Sequence, residues 1–169
     1  CVPAIKEHGE GGWVLNVASM AGMMGMPYAA AYCASKAAVV SMTESWVPEL
    51  KPFGIHTSVL CPAFVKTRIH ESYRNRQQKY AVAAEKRIDK EKLKAGAQAA
   101  TKAVESGIDA SVLAERVIEA LQSEQTYIYT HPNYRKVTTA RFSAIDSAFV
   151  DAEQSQAVGH LIDDEIVTF

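Results

Sequence analysis

Short apolar runs alternate with longer helix-periodic stretches along this chain. Residues 13–18, Trp-Val-Leu-Asn-Val-Ala, follow a glycine-rich turn at residues 9–12. Residues 55–61 and 126–130 are two more runs of similar length, bounded by Gly54, Pro62 and polar residues. Such runs fit strands buried on both faces of a parallel sheet. Between the first two lies a helical pattern from residue 29 to about residue 50, preceded by Pro27. Pro48 is expected to disturb its last turn, and Pro52-Phe53-Gly54 to stop it. Residues 67–107 are polar and charged, with helical propensity. Asp109 is a candidate N-cap for a helix over residues 110–122, whose apolar stripe is Val112, Leu113, Val117, Ile118 and Leu121. A last helix is expected from residue 131 to about residue 150, with a polar tail at 151–169.

Strand, helix, strand, helix, strand, helix predicts an α/β fold built on a partial, Rossmann-like parallel sheet. Residues 1–150 would form the domain. Right-handed crossovers would set successive helices on one face of the sheet. Ligands of open α/β sheets bind beyond the carboxyl ends of the strands. The loops starting at Ser19 and at Pro62 lie there.

Composition narrows the function classes. With 48% apolar and 22% charged residues, the 169-residue chain reads as an ordinary globular domain. A net charge of -1 gives no reason to expect nucleic acid or an anionic membrane as partner. No apolar run reaches bilayer length, and the first residues lack the order of a signal peptide. The chain opens on Cys1 without a Met, which suggests a piece of a longer polypeptide. Three cysteines without metal-ligand spacing read as reduced thiols, hence a cytoplasmic protein. The five histidines show no metal-ligand spacing either, and no metal is expected.

Ser19, Tyr32 and Lys36 carry the candidate chemistry. Tyr32 and Lys36 are four apart on a helix and share a face, with roughly 5–6 Å between their Cβ atoms. An ammonium about 5.5 Å from a phenol, at an effective dielectric near 20, favours the phenolate by roughly 3 kcal/mol. Such a tyrosine can act as general acid or base. The Ser19 hydroxyl, at the mouth of the preceding strand, can donate to a carbonyl oxygen or accept from an alcohol. None of the three carries hydride, so a cofactor must. Taken alone, a Tyr and a Lys four apart are more often a core edge and a solvated head. A Ser/Lys hydrolase is disfavoured, because position 33 is Cys rather than Ser and no Gly-x-Ser-x-Gly elbow occurs.

Three segments in order raise the specificity: Asn16-Val17-Ala18-Ser19-Met20-Ala21-Gly22, Tyr32-Cys33-Ala34-Ser35-Lys36, and Pro62-Ala63-Phe64-Val65-Lys66-Thr67. Together they closely resemble the short-chain dehydrogenase/reductase family, in its C-terminal catalytic part. The resemblance implies an NAD- or NADP-dependent oxidoreductase that interconverts an alcohol and a carbonyl compound. It assigns substrate orientation to Ser19 and proton exchange to Tyr32. It assigns support of the tyrosinate and nicotinamide-ribose binding to Lys36. It points to Pro62, Val65 and Thr67, with Tyr32 and Lys36, as cofactor contacts. It also implies pairing of subunits through the helix bearing Tyr32 and Lys36, and a helical substrate lid over residues 67–107. Met20, Ala21 and Tyr28 are candidates for a substrate pocket. The family's pyrophosphate-cradling glycine turn and its relay Asn are not in this chain, and Ala63 stands where the family carries Gly. A non-catalytic remnant that packs against a partner protein is the second reading.

Overall fold

The computed structural model of the chain describes residues 1–75, 77–80 and 90–167. Their residue contacts form two compact units, Cys1–His131 and Pro132–Phe169. In the first unit, helix α1 (Val2–His8) precedes strand β1 (Gly12–Val17), helix α2 (Ala30–Leu50) and strand β2 (Ile55–Cys61). Helix α3 (Lys90–Glu105), helix α4 (Ala110–Gln122) and strand β3 (Tyr127–Tyr129) follow. The second unit holds α5 (Arg135–Glu153) and a short 3-10 turn, Gly159–Asp163. α5 thus runs through residue 150, where the last helix was expected to end. Among the described residues no helix is long and apolar enough to cross a membrane.

Local chemistry accounts for most element ends. α1, not foreseen in the sequence, is a seven-residue helix with Pro3 in its first turn and a left-handed Gly9 as its stop. Pro48 lies inside α2, which continues past it to Leu50; a 3-10 turn at Lys51–Phe53 and Gly54 (φ 66°) then reverse the chain. Asp109 occupies the N-cap of α4 with extended backbone, but its side chain makes no capping bond. The carboxylate pairs instead with Lys66 at 3.0 Å.

The sheet is all parallel, in the order β1-β2-β3. Its register sorts side chains onto two faces. Trp13, Leu15 and Val17 pair with His56, Ser58 and Leu60, and Leu60 pairs with Ile128. These residues share one face. There Leu60 and Ile128 pack with Ala120, Leu113, Val117 and Leu121 of α4 and with Leu15. Leu60 and Ile128 are buried, which stabilises the fold by about 1.5–3 kcal/mol per side chain. Asn16, Val59 and Tyr127 line the opposite face. There Asn16 bonds Thr43 of α2, and Tyr127 bonds Glu44 of α2 at 2.5 Å.

α2 and α4 therefore lie on opposite faces. This corrects the expectation that right-handed crossovers would set both on one face. The strand order advances in one direction, so the two connections have opposite hands. The right-handed preference comes from a right-twisted strand feeding a right-handed helix that packs straight back onto the sheet, and one of these two connections departs from it. The β2-to-β3 connection is long and first runs through the 3-10 turns Ile69–Asn75 and Gln78–Tyr80 and through α3 before α4 returns. The start and finish of the part before α4 meet in an isolated parallel bridge, Val65 with Ile108, so the chain closes a loop beyond the sheet before α4 crosses beneath it. The expected lid at 67–107 coincides with this loop. Residues 76 and 81–89, with much of the charged run at 85–94, lie outside the described residues.

Candidate active site at the carboxyl edge of the sheet

The end of β1 is held against the end of β2 by backbone bonds. Ala18 N donates to Leu60 O (2.8 Å) and Met20 N to Pro62 O (2.9 Å). Between them Ser19 is extended (φ -175°, ψ 161°) and caps the 3-10 turn Met20–Gly22, its Oγ accepting from Ala21 N at 3.1 Å. The Ser19 hydroxyl proton is directed to Pro62 O at 3.5 Å, the outer limit of a hydrogen bond. It is thus weakly held and can turn to another acceptor.

Tyr32 sits in the first turn of α2 and is 40% exposed, so its ring is not sealed in the core. The Lys36 Nζ lies 5.9 Å from the centre of that ring and donates to Val17 O at 3.1 Å. One of the three ammonium protons is used there. The helix thus brings phenol and ammonium onto one side, and the ammonium reaches back to the strand end that carries Ser19. Gly22 explains how close α2 comes. A Cβ at Gly22 would lie 2.7 Å from Lys36 O and 2.8 Å from Lys36 C.

Cys61 closes the floor beneath Ser19. It is fully buried. Burial pushes its thiol up to about 11, opposed by the Ser19 backbone N–H, reinforced by Glu44 and relieved by Lys36. The thiol is therefore protonated at neutral pH and is no nucleophile. Beside it, the hydrogen bond to Glu44 pushes the Tyr127 phenol up to about 12, and burial raises Tyr129. Cys1 is exposed and Cys33 half-buried, and all three cysteines are free.

The Pro62–Thr67 loop is fixed from its far side. Ile108 N donates to Phe64 O (3.1 Å) and Lys66 N to Ile108 O (2.9 Å). In a parallel bridge of this kind the amide and carbonyl of Val65 point away from Ile108. Ala63 is not among the residues of positive φ, so its Cβ requires no strained backbone. The Thr67 hydroxyl is exposed and accepts from Ile69 N at 3.4 Å. Beside it lies an open concavity of about 360 Å³ lined by Lys66, Thr67, Arg68, Val104 and Glu105. The proposed pocket residues fall apart by environment. Met20 and Ala21 are packed in the core, whereas Tyr28 (φ 62°) is fully exposed.

Three contacts were not anticipated from sequence: the Asn16–Thr43 bond, the approach of Gly22 to α2, and the Glu44–Tyr127 pair. Thr43 follows Lys36 by seven residues, two turns along one face. That spacing was the available signal.

A parallel sheet with a Ser loop at the end of one strand, and Tyr and Lys a turn apart on the helix that follows, defines a class of nucleotide-dependent oxidoreductase folds. Comparison with known proteins agrees. A family model described as short chain dehydrogenase matches residues 1–78. A CLA biosynthesis dehydrogenase/reductase of Lactiplantibacillus plantarum is 33% identical over 142 residues, 83% of this chain and 49% of that protein. A C alpha-dehydrogenase of a Sphingobium strain is 30% identical over 144 residues, 85% of this chain and 46% of that protein. A crystal structure of a short chain dehydrogenase/reductase from Burkholderia phymatum in complex with NAD superimposes with TM-score 0.77 at 32% identity, over 86% of this chain and 52% of that one. The chain belongs to the short-chain dehydrogenase/reductase family. It spans about half the length of the curated relatives it matches.

Proposed function

We propose that these residues are the proton-transfer and substrate-orienting part of an NAD- or NADP-dependent oxidoreductase that interconverts an alcohol and a carbonyl compound. One observation carries the reading. The Lys36 ammonium stands beside the half-exposed Tyr32 ring and is tied to the strand end that bears Ser19. In that place Tyr32 acts as the general base that takes a proton from an alcohol. In the reverse direction the phenol gives its proton to a carbonyl oxygen. Ser19 donates its loosely held hydroxyl proton to that same oxygen and stabilises the charge that develops on it.

NAD or NADP, when bound, supplies or accepts the hydride. The residues at hand suit its nicotinamide end. Lys36 keeps two ammonium protons for ribose hydroxyls, Val65 directs its amide and carbonyl away from the bridge, and Thr67 presents an exposed hydroxyl. Pro62 sits where the two strand ends meet. Pairing with a second subunit through α2 is part of this reading. Ala34, Ala38, Ser41 and Ser45 form an exposed small-residue stripe along that helix.

The test is turnover by the complete natural polypeptide that carries these residues. Simple secondary alcohols are offered with NAD+ or NADP+, and the matching ketones with NADH or NADPH. Tyr32→Phe is expected to lower kcat by about 10²- to 10⁴-fold with the fold intact by circular dichroism. Turnover by Tyr32→Phe at the wild-type rate rejects the assigned role. A wild-type protein inert towards every pair favours the non-catalytic reading instead.

A further inference from the structure

We propose that Thr43 is a positioning residue, which holds α2 to β1 through Asn16 and thereby sets Tyr32 and Lys36 against Ser19. The proposal rests on the functional reading above. Thr43 is completely buried. Its Oγ1 donates to Val39 O at 2.6 Å, one turn back along its own helix, and accepts from Asn16 Nδ2 at 3.0 Å. The first bond fixes the Thr43 rotamer, and the second then has one direction in which to form.

α2 lies chiefly across β2 and the turn after Ser19, and it touches β1 at few places. Apolar packing is non-directional, so a helix resting on a sheet can slide unless polar bonds set its place. Two such bonds join α2 to β1. Thr43 takes the Asn16 amide, and Lys36 takes the carbonyl of the next residue, Val17. If catalysis redirects the ammonium towards other acceptors, the Thr43–Asn16 bond is the one that stays. Asn16 lies near the end of β1, three residues before Ser19, and Thr43 follows Lys36 by two helical turns. Displacement at this clamp is therefore passed to both halves of the site.

The experiment compares wild type, Thr43→Ser, Thr43→Val and the double variant Asn16→Leu with Thr43→Val, in the complete polypeptide, with the alcohol and ketone pairs used above. The double variant replaces both polar partners by apolar groups, so it leaves no orphaned buried amide and guards against misfolding of the single one. Each Tm is measured, and kcat and KM are read well below the lowest. The expected result is a kcat about 10- to 100-fold lower for Thr43→Val and the double variant, KM within about 3-fold of wild type, and near-wild-type kcat for Thr43→Ser. Lowered Tm with wild-type kcat in Thr43→Val or the double variant overturns the proposal, because it shows a merely structural bond. Equal damage by Thr43→Ser also overturns it. Absence of turnover by wild type overturns the functional reading itself.

Discussion

Gly22→Ala measures how tightly the Ser19 turn is pressed on α2. The added Cβ would meet Lys36 O at 2.7 Å, Lys36 C at 2.8 Å and Ala37 N at 3.1 Å, all of them backbone atoms of α2. No side chain can swing aside, so the turn or the helix must move. Relaxing the shortest contact to an ordinary separation of about 3.4 Å needs about 0.7 Å of displacement. Overpacking of this kind costs about 1–3 kcal/mol. Loss of glycine's freedom in the unfolded chain returns about 0.4–1 kcal/mol. A net loss of about 1–2 kcal/mol lowers Tm by roughly 2–8 °C for a chain of this size. The shift falls on Lys36 and so alters its distance, and that of Tyr32, from Ser19; misplacement near 1 Å can cost about 10²-fold in rate. Gly25→Ala is the control, because nothing lies within 4 Å of its Cβ position and its backbone is not left-handed. The assay pairs thermal unfolding with turnover. Should Gly22→Ala match Gly25→Ala in both Tm and kcat, the close approach of turn and helix is wrong.

Two further outcomes follow from groups under the site. Cys61 is buried with its thiol near 11, so iodoacetamide at neutral pH should label Cys1 first and leave Cys61 unmodified in native protein; peptide mapping that finds Cys61 labelled as fast as Cys1 refutes the sealed floor. Stability should fall on the alkaline side. Cys61 rises from 9.0 to about 11 on folding and Tyr127 from 10.0 to about 12, so the unfolded chain loses these protons first. Their contribution is complete below about pH 9 and is lost as pH climbs through 9 to 12. Cys61 supplies about 2–3 kcal/mol of this by linkage, and Tyr127 less than its shift suggests because water screens its partly exposed ring. Urea midpoints across that range should drop less steeply in Cys61→Ala than in wild type, and parallel curves would refute the assignment.

Some of the architecture was plain in the residues and some was not. β2 and α4 run where expected: Gly54 and Pro62 are local stop signals that act whatever the tertiary context, and Asp109 stands at the N-cap of α4 although its carboxylate pairs with Lys66 instead of capping. α1 was missed because seven residues with few apolar positions have no periodicity to detect. Ser19, Tyr32 and Lys36 could be picked out because their spacing is set along one strand end and one helix. Their relation to one another is not set there. It comes from bonds between elements: Thr43 to Asn16, Lys36 to Val17, and the bare Gly22 backbone against α2. The face on which α4 lies was also hidden, since the handedness rule favours the other face and this connection detours through the Val65–Ile108 bridge. That detour has a consequence for chemistry. With α4 on the far face, α2 is, among the described residues, the helix packed against the turn after Ser19, and the end of β2 holds Ser19 from one side while α2 approaches from the other. A site made this way depends on the docking of one helix, so substitutions that shift α2 should cost activity before they cost the fold.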